Sequence, residues 1–407
     1  MELEMHALSE IFSLEEHLPT SFAVAVTLVR FFLIAAQIEL VVAILRSSKA
    51  GALIVGTAGF TLLALSGLFN VDAIVFDVPR EAYWWRPVAA CWIVGSFGTY
   101  AMLWLWRAAS RIGLLHRDGS PVQGSKSATT LGRREFLKPV AAVAAAVPFG
   151  AAGYGILIGR RKISVDERDI YIPGLPDDLD GFKIVQLTDI HCGPFFSLPD
   201  LDFAIDMAND CGANLAVVTG DLITTKQDPL EGALDRLATL KADFGVVGCL
   251  GNHEIHADAE NFTKLYGARK GIRFFRSESQ LLTLGSSKLN IVGVDYQRKA
   301  KPYLTNAESH IRSDATNILL SHNPDVFPKA AELGYDLTIG GHTHGGQVTM
   351  EIAEQYLNPA RFFTPYVSGE YSRGNAALYV SRGLGTVNLP MRIGALPEIP
   401  LLRLKQS

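Results

Sequence analysis

The stretch Lys183–Ile184–Val185–Gln186–Leu187–Thr188–Asp189–Ile190–His191 decides how this chain is read. A compact apolar run, Lys183–Leu187, ends in a carboxylate and an imidazole two residues apart. In extended backbone such residues point the same way with roughly 6–7 Å between Cα atoms, so both side chains can converge on one ion. Working outward, further short strands are expected at Leu215–Thr219, Gly245–Leu250, Leu289–Val294, Asn317–Leu320, Leu337–Ile339 and Ala377–Val380. Several are continuous apolar runs, such as Leu215–Ala216–Val217–Val218, as required of strands covered on both faces. Helical stretches are expected around Leu198–Cys211, Pro229–Leu240, Ala259–Gly267 and Asp325–Leu333, and Ile163–Pro176 reads as an edge strand and connection. The alternation predicts an α/β class with a mixed, sandwiched sheet.

Polar residues follow these strands within a residue or two, where α/β proteins place their chemistry. In chain order they are Asp189–Ile190–His191, Gly220–Asp221, Gly251–Asn252–His253–Glu254, His322, and Gly341–His342–Thr343–His344–Gly345–Gly346. His342 and His344 repeat the two-residue spacing, and either grip one ion or reach separately into an adjacent pair. Asp221 supplies a hard anionic oxygen suited to lying between two cations, Asn252 a neutral carbonyl oxygen, and His322 another nitrogen. Nitrogen and oxygen ligands without a thiolate point to two divalent or mixed-valence transition metal ions: manganese, iron or zinc. Two such ions about 3.5–4 Å apart would make a bridging hydroxide available at neutral pH, clamp phosphoryl oxygens and offset charge on an in-line transition state. His253, beside Asn252, is placed to protonate the leaving alkoxide, and Glu254 is expected to hold that imidazole charged and oriented. Two neighbours stay open: Cys192 is a packing residue or a neighbour of the metals, and Arg382 reaches a substrate phosphate or closes a loop salt bridge.

At these residues the chain resembles the calcineurin-like metallophosphoesterase superfamily, whose pattern D-x-H, G-D, G-N-H-[D/E], H, G-H-x-H is matched block by block. The resemblance implies a four-layer α/β–β/α sandwich. It implies one ion held by Asp189, His191, Asp221 and His344 and another by Asp221, Asn252, His322 and His342, with His253 as proton donor and Glu254 behind it. The chain is also similar to a bacterial branch with N-terminal membrane segments, through Leu175–Pro176–Asp177–Asp178–Leu179–Asp180–Gly181–Phe182–Lys183–Ile184, Gly345–Gly346–Gln347, Leu389–Pro390 and Leu396–Pro397–Glu398–Ile399. Some members of that branch carry twin-arginine signals, and one relative cleaves the pyrophosphate of a UDP-diacylglucosamine lipid precursor. The implied function is metal-dependent hydrolysis of a phosphate ester or anhydride on a lipid or cell-envelope substrate. The alternatives are a cytoplasm-facing lipid pyrophosphate hydrolase, or a catalytically silent membrane receptor or scaffold.

The first part of the 407-residue chain has a different character. Apolar segments at roughly Phe22–Leu45, Ala52–Val75, Pro87–Trp106 and Val140–Ile158 each approach the ~20 residues needed to cross hydrocarbon. Trp84, Trp85, Trp104 and Trp106 flank the third, as in an aromatic belt. Glu39 and Arg30 lie inside the first and read as snorkelling or bundle-facing groups, or as an intramembrane ion pair or polar site. The basic loop Arg107–Lys138 is expected on the cytoplasmic side by the positive-inside rule, which sends the chain after segment four to the outer face. Gly132–Arg133–Arg134–Glu135–Phe136–Leu137–Lys138 resembles a twin-arginine export signal, in agreement, or else supplies ordinary cytoplasmic anchoring charges; Arg160, Arg161 and Lys162 after segment four argue against export on charge alone. Residues 1–162 are thus expected as a membrane region and residues 163–407 as the metallophosphoesterase domain, in a multi-pass protein of a bacterial cell membrane. The net charge of −4 gives no basis for a nucleic-acid partner. Cys91, Cys192, Cys211 and Cys249 form no CxxC pair, so a disulfide framework is not expected.

Overall fold

The computed structural model describes residues 85–111, 146–297, 302–352 and 355–407, with scattered helical positions between 31 and 60. The chain divides into two units, Met1–Ile156 and Leu157–Ser407.

In the first unit, Trp85–Arg111 is a single 27-residue helix, so the expected segment Pro87–Trp106 is helical throughout. Its glycines allow close approach of a second helical stretch: a Cβ on Gly95 would lie 2.3 Å from the Phe149 ring. Glu39 pairs with Arg107. The apolar run of the long helix is broken by Gly95–Ser96 and Gly98–Thr99–Tyr100. Among the described residues no helix is long and apolar enough to cross a membrane, so the four expected spans find no support there. Most of Phe22–Leu45 and Ala52–Val75, the start of Val140–Ile158, and the whole Gly132–Lys138 stretch lie outside the described residues.

The second unit carries the strands: β1 (Ser164–Ile172), β2 (Lys183–Leu187), β3 (Leu215–Thr219), β4 (Val246–Cys249), β5 (Ile272–Phe275), β6 (Glu278–Leu284), β7 (Ser287–Gly293), β8 (Thr316–Leu320), β9 (Leu337–Gly340), β10 (Met350–Ile352), β11 (Gln355–Leu357), β12 (Gly369–Arg373), β13 (Ala376–Val380) and β14 (Glu398–Gln406). They form two six-stranded sheets, ordered β1-β14-β2-β3-β4-β5 and β12-β13-β9-β8-β7-β6, with β10 and β11 as a separate antiparallel pair. The two sheets give a mixed α/β sandwich, in line with the sandwich class expected from the sequence. In each sheet a parallel core, β2 to β5 and β7-β8-β9-β13, runs with antiparallel pairings beside it.

The continuous apolar runs are explained by covering on both faces. Leu215 and Val217 of β3 join Ile184, Ile318, Leu320, Leu337 and Ile339 in the core between the sheets. Their neighbours Ala216 and Val218 turn outward, against Leu201, Ile205, Leu234 and Leu237. Those side chains come from the helices Leu198–Asp210 and Leu230–Leu237. On the other sheet, Val292 and Leu319 pack with Val326 and Ala330. Burying a Leu or Val side chain stabilises by roughly 1.5–3 kcal/mol, so an apolar residue is favoured at every position of such a strand. Among the strands that the sequence reading passed over are β5, β6, β12 and β14. β6 and β12 are sheet edges with polar faces, and β14 carries Pro400, which has no N–H for a ladder.

Candidate metal centre

Five strand ends feed the site: β2, β3 and β4 from one sheet, β8 and β9 from the other. The turns after them are strained. Asp189, His191, Asp221, His342 and His344 have φ values of 50°, 45°, 53°, 75° and 53°, a region that costs a residue with a Cβ on the order of 1–3 kcal/mol. Backbone bonds between the turns hold them there. Asp189 N donates to Gly220 O at 3.1 Å, His191 N to Asp221 O at 3.0 Å, and Gly341 N to His322 O at 3.1 Å. Two motif glycines are required by this close approach: a Cβ on Gly251 would lie 2.1 Å from Asp221 Oδ1, and one on Gly341 2.2 Å from Asp189 Oδ2.

The side chains converge. His191 Nε2 lies 3.1 Å from His344 Nε2 and 3.6 Å from Asp221 Oδ2. His344 Nε2 is 3.3 Å from Asp189 Oδ1, and His322 Nε2 is 3.0 Å from Asp221 Oδ2. Three overlapping groups, Asp189–His191–His344, His191–Asp221–His253 and Asp221–His322–His342, each bring their ligand atoms within 4.8 Å of one another. His322 Nδ1 donates to Thr219 O at 2.7 Å, which turns Nε2 toward Asp221. That nitrogen is close enough to the carboxylate for an ion pair but is not aligned as a hydrogen bond. Like Asn252 Oδ1, it is a buried polar atom without a hydrogen-bond partner. Leaving such atoms unsatisfied costs about 1–3 kcal/mol each. A cation accepting their lone pairs removes the cost, and imidazole, carboxylate and amide donors together suit a divalent transition metal ion.

The electrostatics agree. Burial raises the Asp189 carboxyl to about 6, and the charge of Asp221 adds to the shift. For Asp221 burial acts the same way most strongly, but His322, His253 and His191 overcome it and hold that carboxyl well below its usual range. Burial pushes His191 down to about 3 and His344 well below the usual imidazole range. Burial also opposes charge on His322, but Asp221 and Asp189 outweigh it and take the ring up to about 10, so a cation binding at Nε2 would displace a proton. Carboxylates and lone pairs crowded into a dry site are the electrostatic counterpart of a bound cation.

Three expectations about neighbouring residues change or resolve. Glu254 was expected to orient His253, but its Oε2 accepts from Gly251 N at 2.8 Å and Asp221 N at 2.9 Å, and its Oε1 from Leu222 N at 2.7 Å. The reason is local: Asn252–His256 is a short helix, adjacent residues on a helix do not face each other, and Glu254 folds back onto the first turn. His253 is instead oriented by Thr224, whose carbonyl accepts from Nδ1 at 2.7 Å. Arg382 closes a loop: it pairs with Glu398 and lies 3.7 Å from Asp166, while its Nε donates to Leu396 O at 3.0 Å. Cys192 is a packing residue of the apolar core, and burial pushes its thiol up to about 12.

Two residues of the site carry no sequence signal. The Tyr296 ring centroid is 5.4 Å from that of His342 and 6.0 Å from that of His322. Arg392 is fully buried against His344.

A family model, Calcineurin-like phosphoesterase, matches residues 182–346, a range that contains every expected ligand from Asp189 to His344. An uncharacterized metallophosphoesterase of Bacillus subtilis, YkuE, is 32% identical over 283 residues, covering 68% of this chain and 99% of its own length. The chain belongs to the calcineurin-like phosphoesterases. As a calcineurin-like phosphoesterase it is a metal-dependent hydrolase acting on phosphate esters, and its Asp/His cluster is a candidate site for divalent ions. Two further relatives are longer in their match. A "Transmembrane protein with metallophosphoesterase domain" from Bos taurus is 26% identical over 380 residues, covering 86% of this chain and 80% of its own. Its counterpart from Danio rerio is 28% identical over 347 residues, covering 82% and 76%.

Proposed function

We propose that this phosphoesterase uses two transition metal ions to hydrolyse a phosphate ester or anhydride carried by a lipid or another cell-envelope molecule. Asp189, His191, Asp221 and His344 would hold one ion, and Asp221, Asn252, His322 and His342 the other. The observation that carries this reading is the position of Asp221 Oδ2, 3.6 Å from His191 Nε2 and 3.0 Å from His322 Nε2, one nitrogen from each proposed ligand set. Bound ions there supply Lewis-acid charge for the phosphoryl oxygens and lower the pKa of water. The protein's own contribution is positioning. Glu254 ties the Asp221 turn to the Gly251 turn, and the short helix after Gly251 presents Asn252 and His253 together. With Nδ1 committed to Thr224 O, His253 keeps Nε2 for the leaving oxygen, to which it delivers a proton. Metal-loaded full chain is expected to turn over aryl phosphate mono- or diesters with Mn²⁺. Inactivity on both classes with manganese, iron and zinc would refute the reading.

The membrane part of the proposal rests on the apolar N-terminal segments and on the two relatives whose names include a transmembrane character. Residues 1–162 would anchor the chain in a bacterial membrane, with residues 163–407 on the outer face. A C-terminal tag is then expected to be degraded by protease added outside the membrane, in cells whose outer envelope has been opened but whose cytoplasmic membrane is intact. Full protection of the tag would instead favour a cytoplasm-facing hydrolase of a lipid pyrophosphate.

A further inference from the structure

We propose that Arg392 is a positioning residue of the metal centre: it locks the His344 turn and the loop 382–385 together so that the His344 ring faces Asp189 and His191. This inference rests on the metal-centre reading above.

Arg392 is 0% exposed and heads the largest fully buried side chains of the molecule. Its guanidinium is satisfied almost wholly by backbone. Nη1 donates to the carbonyls of Arg382 at 2.7 Å, His344 at 3.1 Å and Ala395 at 3.2 Å. Nε donates to Gly385 O at 3.1 Å, and Nη2 to Gly383 O at 3.3 Å and again to Gly385 O. Nη2 also lies 3.3 Å from His344 Nδ1. A guanidinium has no acceptor, so the imidazole nitrogen is the acceptor in that contact. Arg392 therefore grips one ligand at two points, its carbonyl and its ring.

The loop at the other end of the grip touches a second ligand. Gly385 N donates to Asp189 O at 2.7 Å and Leu384 N to Thr188 O at 3.1 Å. Gly383, at φ 67°, packs so tightly that a Cβ there would lie 2.5 Å from Asp189 Cβ. One side chain thus joins the Asp189 turn, at the end of β2 in one sheet, to the His344 turn, at the end of β9 in the other. The hydrogen-bond partners of Arg392 include no carboxylate, and a buried charge so placed is costly unless its geometry is used. Only the planar fork of arginine can meet carbonyls of residues 344, 382, 383, 385 and 395 at once; a lysine ammonium is a point charge with three donors.

The test compares Arg392→Lys and Arg392→Gln with Arg382→Lys in the full chain. Arg382 staples the same loop, through Glu398 and Leu396 O, but makes no hydrogen bond to a ligand. Metal-stripped protein is titrated with Mn²⁺, with binding read directly, thermal unfolding followed in parallel, and aryl phosphate turnover measured across the same titration. Loss of a group that orients a metal ligand typically weakens affinity about 10–100-fold. Both Arg392 variants are expected to show that loss, with turnover recovering toward wild type as Mn²⁺ saturates. Arg382→Lys is expected to keep near-wild-type Mn²⁺ affinity whatever its melting temperature. Wild-type affinity in either folded Arg392 variant, or an equal loss in Arg382→Lys, overturns the proposal. Wild-type protein that binds no Mn²⁺ would instead overturn the metal-centre reading on which it rests.

Discussion

Asp221→Asn is expected to lower kcat/KM for an aryl phosphate by on the order of 10³-fold and to leave the protein with less bound metal. Two-metal sites supply several kcal/mol of transition-state stabilisation, and each ~1.4 kcal/mol is a factor of ten in rate. Asp221 is the residue shared by the two proposed ligand sets. Its Oδ2 stands between His191 and His322, and its Oδ1 accepts from His253 N at 2.9 Å. The substitution removes the anionic charge that His191, His253 and His322 share, while keeping side-chain volume. The loss should therefore appear in metal content and activity without unfolding. Metal analysis of purified variant, alongside circular dichroism, checks this: wild-type metal content with full activity would rule out Asp221 as a bridging ligand.

His253→Gln is expected to behave differently, reducing kcat by about 10²–10⁴-fold, the usual contribution of general acid–base catalysis, while metal content stays unchanged. The His253 ring stands beside the proposed metal ligands, 4.8 Å from the His191 ring between centroids, and is oriented through Nδ1 by Thr224 O. A proton donor matters most when the leaving group is a strong base. The variant should therefore lose far more activity on alkyl phosphates than on nitrophenyl phosphate, whose leaving group departs without a proton. A loss independent of leaving-group basicity, or a matching loss of metal, would show that His253 serves as a ligand, as its place in the His191–Asp221–His253 group also permits.

The strands and ligand turns were legible because their signals are local. Leu215–Val218 announces a doubly covered strand within four residues, and Asp221 follows at once. β6 and β12 were not legible, since an edge strand with one polar face has a pattern that many loops share. Glu254 was misread for a related reason. Its place next to His253 in the chain suggested a partnership, but helical geometry turns the two side chains apart, and the buried amides of Asp221 and Leu222 capture the carboxylate. Arg392 carried no signal because its meaning lies in carbonyls of two other segments, the His344 turn and the loop 382–385.

The amino-acid order alone determined which atoms are available for chemistry: imidazoles, carboxylates and an amide placed directly after apolar strands, with glycines where turns come within van der Waals distance. That follows because residue type and two-residue periodicity are properties of a short run. Tertiary structure decided which of those atoms meet. It split the strands into two sheets, drove five candidate ligand residues into left-handed backbone, and brought His191 to 3.1 Å from His344 across a separation of 153 positions. Contacts of that kind depend on how whole layers pack, and packing is settled by the burial of both sheet faces together, which no single segment encodes.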